Sequence, residues 1–254
     1  MTLLEISLYF IAAAMAGAVN SVAGGGTFLT FPALIFGGLS PLAANVTSTV
    51  ALWPGSIGSA FAYRGELKEH KGRLTPLLWV SLIGGGIGAV VLLETPERTF
   101  AALVPWLLLT ATLIFTFGRQ GVALLRKWRK QEYVEPNLAS GLVLQFIISI
   151  YGGYFGAGIG ILMLAMLQLA GFSNIHQMNG LKTWLAIPIN GVSVLLFALS
   201  GKVVWPVALV MLVGALTGGY WGAKIALKLP PHYVRWFVTT VGIAMTLYFF
   251  LHGH

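Results

Sequence analysis

Two interruptions of apolar sequence carry residue types that can hold an anion. The first is VAGGGT, residues 22–27, with Asn20 and Ser21 just ahead of it; the second is FGAGIG, residues 155–160. A helix that starts at such a break exposes backbone N–H groups and the positive end of its dipole. Gly24, Gly25 and Gly26 in one break, and Gly158 and Gly160 in the other, let an oxyanion approach that backbone closely, with the Thr27 hydroxyl alongside. A second polar cluster follows each break. NVTST, residues 45–49, offers Asn45, Thr47, Ser48 and Thr49; NGLKT, residues 179–183, offers Asn179, Lys182 and Thr183. Further on, Trp53 and Asn190 flank Pro54 and Pro188, which kink a helix where they fall inside one. Together with Asn20, these residues form the candidate substrate-binding set. Hydroxyls, amides, backbone N–H groups and one lysine suit a small oxyanion.

Each feature also has a plainer explanation. Glycines let membrane helices pack closely, and GGGIG at 84–88 and TGGYWGA at 217–223 read best that way. Ser and Thr hydroxyls can simply bond to a carbonyl one turn back. Lys182 either meets a substrate anion or snorkels to the headgroups from a helix end. Gln168 and His176 are weaker candidates of the same polar kind. What separates the two breaks from ordinary packing glycines is the polarity around them and the short segment that follows each.

The elements that must position these residues are membrane helices. Of 254 residues, 57% are hydrophobic and only 9% are charged, against roughly 25% charged in a soluble domain. Residues 6–63 and 136–181 contain no Asp, Glu, Lys or Arg. Such runs exceed the roughly 20 residues that cross a bilayer once. The alternating short segments of a β-barrel are missing from the pattern. Glu5 sits where a cleaved signal would carry positive charge, so the first apolar segment is expected to be retained. The chain has no cysteine and no aspartate. Metal ions favour carboxylate, His or Cys clusters, so no metal site and no cofactor are expected. The net charge of +8 comes largely from basic clusters between apolar segments, which topology explains better than nucleic acid does.

Five apolar segments (3–20, 26–37, 44–63, 74–93 and 99–118) precede a basic linker at 119–137, and five more (138–153, 159–171, 178–200, 203–224 and 233–251) follow it. The two sets align at a constant offset of 134 residues. Gly24 falls on Gly158, Gly26 on Gly160, Asn45 on Asn179, Thr49 on Thr183, Pro54 on Pro188 and Pro96 on Pro230, while Ser48 falls on Lys182. The expected fold is an all-α polytopic membrane protein of two repeats, 1–118 and 138–254, with a short broken or re-entrant second segment in each and 8–10 crossings. Lys and Arg in RGELKEHKGR at 64–73, in the linker, and at Lys224, Lys228 and Arg235 mark cytoplasmic loops. Both termini then face the periplasm. An odd number of crossings per repeat inverts the second relative to the first, an architecture common in secondary transporters.

NSVAGGGTFLTFPALIFGGLSPLAANVTSTVALWPGSIGS, residues 20–59, resembles the first-half signature of the sulfite exporter TauE/SafE family, and GGYFGAGIGILML at 152–164 with MNGLKTWLAIPIN at 178–190 resembles its second half. The resemblance covers essentially the whole chain. It implies a carrier for sulfite, sulfonates or related organosulfur anions in the bacterial inner membrane. An anion channel and a carrier for a small carboxylate are the alternatives. An enzyme is not expected, because no His lies beside an acid in an apolar segment. Coupling stays open between a proton, carried by Lys182, His176 or the substrate itself, and the membrane potential. The partners expected are the substrate and the bilayer; the sequence does not fix the oligomeric state.

Overall fold

A computed structural model describes residues 1–22, 25–62, 71–128, 138–169, 172, 175–222 and 231–252. Among these residues the chain is all-helical, with ten helices and no strand. They are α1 (Leu3–Val22), α2 (Thr27–Phe36), α3 (Pro41–Ala62), α4 (Lys71–Glu94), α5 (Glu97–Trp128), α6 (Leu138–Tyr154), α7 (Ile159–Leu169), α8 (Ile175–Leu199), α9 (Trp205–Thr217), continued by a π-helical turn (Gly218–Gly222), and α10 (Pro231–His252). They match the ten apolar segments to within a few residues, except that α5 continues ten residues into the basic linker. Helix is the form that satisfies every backbone group within its own segment, as lipid requires. Leu3–Asn20, Leu74–Glu94, Glu97–Gly118 and Gln177–Leu199 are long and apolar enough to cross a bilayer.

The two short helices have 10 and 11 residues. At 1.5 Å per residue each reaches only about 15–17 Å, half of a bilayer's hydrocarbon core. Contacts show where the chain goes. Gly26 packs against the Ala16 carbonyl and Asn20 on α1, and the Tyr9 hydroxyl donates to the Gly37 carbonyl at 3.4 Å. So α2 runs antiparallel to α1, and the chain turns back at the first break. The second break does the same: α7 packs along α6, and Tyr151 donates to the Ala157 carbonyl at 2.9 Å. Gly25 has φ +135 and Gly158 φ +76, conformations that L side chains rarely adopt. That is the backbone reason for glycine at both breaks.

The halves interlock. α4 packs on α6 and α8, while α9 and its π turn pack on α1 and α3. Both seams are glycine seams. A Cβ on Gly85 would sit 2.8 Å from the Ile189 Cα, and one on Gly88 would meet the Ile150 carbonyl. On the other seam, a Cβ on Gly17 would lie 2.8 Å from the Gly219 nitrogen, and one on Gly218 would meet the Ala14 carbonyl. The packing expected of GGGIG is therefore found; Gly222 and Ala223 of the second motif add nothing here, lying at or beyond the edge of the described residues. Between lipid-facing helices hydrophobicity supplies little drive, so close backbone approach and interhelical hydrogen bonds of about 0.6 kcal/mol each carry the association. One bond set lies on the α4–α6 seam, where Gln145 donates to Ser81 at 2.7 Å, fully buried. α3 and α8 cross at the centre, and α5 packs with α10.

Candidate functional site

Where α3 and α8 meet the two breaks, a cavity of about 80 Å³ opens. That is room for a few waters or one anion of a few heavy atoms. α3 contributes Thr49, Leu52, Trp53 and Ser56; α8 contributes Lys182, Thr183, Ala186 and Asn190. The spacing i, i+3, i+4, i+7 on α3 is one helical face. Asn20, Gly25 and Thr27 line it from the first break, and Gly156, Ile159, Gly160 and Met163 from the second.

The sequence had suggested free N–H groups at both breaks. In the first they are taken: the Asn20 Oδ1 accepts from the Gly25 N–H at 3.0 Å and the Gly26 N–H at 2.7 Å. The cause is the cost of an unpaired backbone donor away from water. At the second break, no side chain among the described residues caps the backbone of Ala157, Gly158 or Gly160, and Gly160 faces the cavity.

The polar clusters also divide. Asn45, Thr47 and Ser48 are buried and turned away from the cavity. The Asn45 Nδ2 donates to the Tyr154 carbonyl at 2.9 Å. The Thr47 hydroxyl accepts from the Val204 N–H at 3.1 Å, and Ser48 shares a hydrogen bond of 2.6 Å with Thr30. These three hold helices together. Little more than one turn of helix cannot aim four polar residues at one point, so only Thr49 of that run faces inward. Asn179 sits a turn before the cavity, and Gly26 and Gly158 are buried behind it. Gly24 lies outside the described residues, as do the side chains of Gln168 and His176.

Thr49 and Thr183 line the cavity but donate their hydroxyl protons to the Asn45 and Asn179 carbonyls, at 2.9 and 2.7 Å. Each then offers an oxygen rather than a proton. Lys182 is 4% exposed; among the described residues that line the cavity it is the basic one, and none is acidic. The Trp53 Nε1 donates to the Ile187 carbonyl across α3 and α8 at 3.2 Å, and these two residues are 134 apart. Ser56, two residues past Pro54, also lines the cavity. Leu52 and Ala186 were missed, although the helical stripe beginning at Thr49 and Thr183 points to both. Gly156, Ile159 and Met163 carry no signal in sequence that distinguishes them from packing residues.

The sequence profile of a family described as sulfite exporter TauE/SafE matches residues 9–249. A probable membrane transporter protein of Haemophilus influenzae is 28% identical over 243 residues, covering 95% of this chain and 92% of that one. Probable membrane transporter protein YfcA of Escherichia coli K12 is 28% identical over 256 residues, covering 99% and 91%. Probable membrane transporter protein ORF9 of a Sinorhizobium species is 29% identical over 247 residues, covering 95% and 91%. No solved structure matches the chain.

Proposed function

The chain belongs to the sulfite exporter TauE/SafE family of integral membrane transporters, and on that premise we propose that it is a secondary transporter moving a small sulfur-containing oxyanion across the bacterial inner membrane by alternating access. One observation carries the reading. Eight of the fifteen described lining residues form pairs 134 residues apart: Thr49 with Thr183, Leu52 with Ala186, Ser56 with Asn190, Gly25 with Ile159. The Trp53–Ile187 hydrogen bond, with the same offset, runs between them. A residue bonded to its own repeat-mate lies on the axis relating the repeats. These pairs support a cavity on the axis of two inverted repeats, where transporters of this architecture bind substrate.

The exchanged packing supports the repeats as well. α4 and α9 correspond at this offset, and each packs on the first and third helices of the opposite repeat. In this reading repeat 1 spans 1–118, the cytoplasmic linker 119–137 and repeat 2 138–254. Helix directions fit the basic loops. α4 and α6 run parallel, since Gly84 meets Ser149 and Gly88 meets Ile150; α1 and α9 run parallel too. With 63–70 and 129–137 cytoplasmic, both termini are periplasmic.

The anionic substrate follows from Lys182 and the amides, in a cavity whose described lining holds no carboxylate. Its sulfur chemistry follows from the family. A small carboxylate carrier and an anion channel are the competing readings. Counterflow in proteoliposomes decides: trans sulfite or methanesulfonate should accelerate uptake of the same labelled anion. Acceleration by acetate alone would favour the carboxylate carrier, and uptake indifferent to trans anion would favour the channel.

A further inference from the structure

Asn20 occupies a double position. It sits in the last turn of α1 beside the first break, and it lines the cavity. Two backbone N–H groups converge on one of its side-chain atoms, so that atom is the amide oxygen. The Nδ2 amide then makes no hydrogen bond among the described residues, and it is not among the buried unpartnered atoms. Its donors open onto the cavity. At the corresponding place in the second half stands Tyr154, which cannot do this.

We infer that Asn20 is a specificity-determining residue for the anion. It withdraws the Gly25 and Gly26 N–H groups from the substrate and presents a neutral amide donor in their place. The inference rests on the anion-site reading above. Its chemical consequence is one-sided recognition. The substrate's charge is met from the second half, at Lys182 and the Gly160 end of α7, while the first half supplies only neutral donors. An acidic cap at this position would serve the backbone equally well, since a carboxylate accepts both N–H groups. It would also put negative charge in the anion's cavity.

The test is Asn20→Asp in the full-length purified protein, with sulfite and methanesulfonate as probes and anion-induced thermal stabilisation as the readout. Methanesulfonate stays ionised at every pH used. Asn20→Asp should melt no lower than wild type, yet at pH 7.5 bind the anion at least about 30-fold more weakly, because like charges meet at short range. A bound anion drives the new carboxyl toward its protonated form. Affinity for methanesulfonate should then rise once pH falls below about 5.5, by up to about ten-fold per pH unit beyond any slope of the wild type. A purely structural cap gives no such difference in slope. Wild-type affinity in the variant at pH 7.5, or a loss that acid does not reverse, overturns the inference. If neither probe stabilises the wild type, the anion-site reading itself fails. Should Asn20→Asp not fold, Asn20→Ser decides, keeping a capping oxygen without an amide donor. A loss of about five-fold with unchanged melting supports the role, and wild-type affinity overturns it. Failure of both variants to fold makes Asn20 a structural cap alone and also overturns it.

Discussion

Under the proposed repeat, the two halves of this chain share a backbone plan and use it for different ends. At one register position the first half has Ser48, buried and hydrogen-bonded to Thr30 at 2.6 Å. The second half has Lys182 there, facing the cavity, and where Thr30 would be it has Leu164. A leucine gives a lysine nothing to bond, so the side chain is directed toward the polar space. The breaks differ in the same sense: Asn20 closes the first, and the second is lined by glycine. One half has become the neutral, internally bonded wall and the other the charged one. Under the proposed repeat, a directional site needs only a few changed side chains about a common axis.

Substitutions at matched positions separate what the halves share from what they do not. The largest effects should be shared. Gly84→Val and Gly218→Val, matched by the repeat, both thrust a side chain into backbone or side-chain atoms closer than 3 Å. Overpacking of this kind costs about 1–3 kcal/mol or more, and folded yield in detergent should fall steeply for both. A full yield from one alone would break the symmetry of the seams.

The next effects should diverge. Lys182→Ala should lower anion affinity by about 10–100-fold, the worth of a charge-assisted hydrogen bond, with little change in melting temperature. Ser48→Ala should do the reverse: about 1 kcal/mol of stability lost, with the Thr30 hydroxyl left only its longer bond to the Gly26 carbonyl at 3.4 Å, and anion affinity within about two-fold of wild type. Equal affinity losses in the pair would erase the distinction between the halves. Smaller still, Trp53→Phe removes the bond to the Ile187 carbonyl. It should cost about 0.6 kcal/mol, read as a lowered midpoint in an unfolding titration. Smallest, Thr49→Val and Thr183→Val should each change affinity by no more than about three-fold, since both hydroxyl protons are already given to carbonyls a turn back. A loss of a hundred-fold at either would mean that its proton serves the anion.

Much of this was legible because a bilayer leaves few options. Long charge-free runs had to be helices, while the shortness of 26–37 and 159–171 left open whether those segments cross or turn back. Lys182, Thr49, Thr183, Trp53 and Asn190 were readable from polarity in an apolar setting, and all five line the cavity. The errors came from side-chain direction. Asn45, Thr47 and Ser48 look as polar as Thr49, but helical geometry sends them toward Tyr154, Val204 and Thr30, partners distant in sequence. Asn20 was legible as a polar residue beside a break. That it occupies the very N–H groups credited to the substrate depends on the chain folding back over itself, which no local pattern records. Met163 and Ile159 face the cavity through the same turn, and their apolar character gives no cue.

The central claim is that an anion binds between the halves and that the second half meets its charge. Titrating purified wild type and Lys182→Ala with sulfite and methanesulfonate, followed by thermal stabilisation, tests it most directly. The account predicts a concentration-dependent rise in wild-type melting temperature with at least one of the two, and its near-complete loss in Lys182→Ala at an unchanged apo melting temperature. No rise in the wild type with either anion, or an equal rise in the variant, would contradict it.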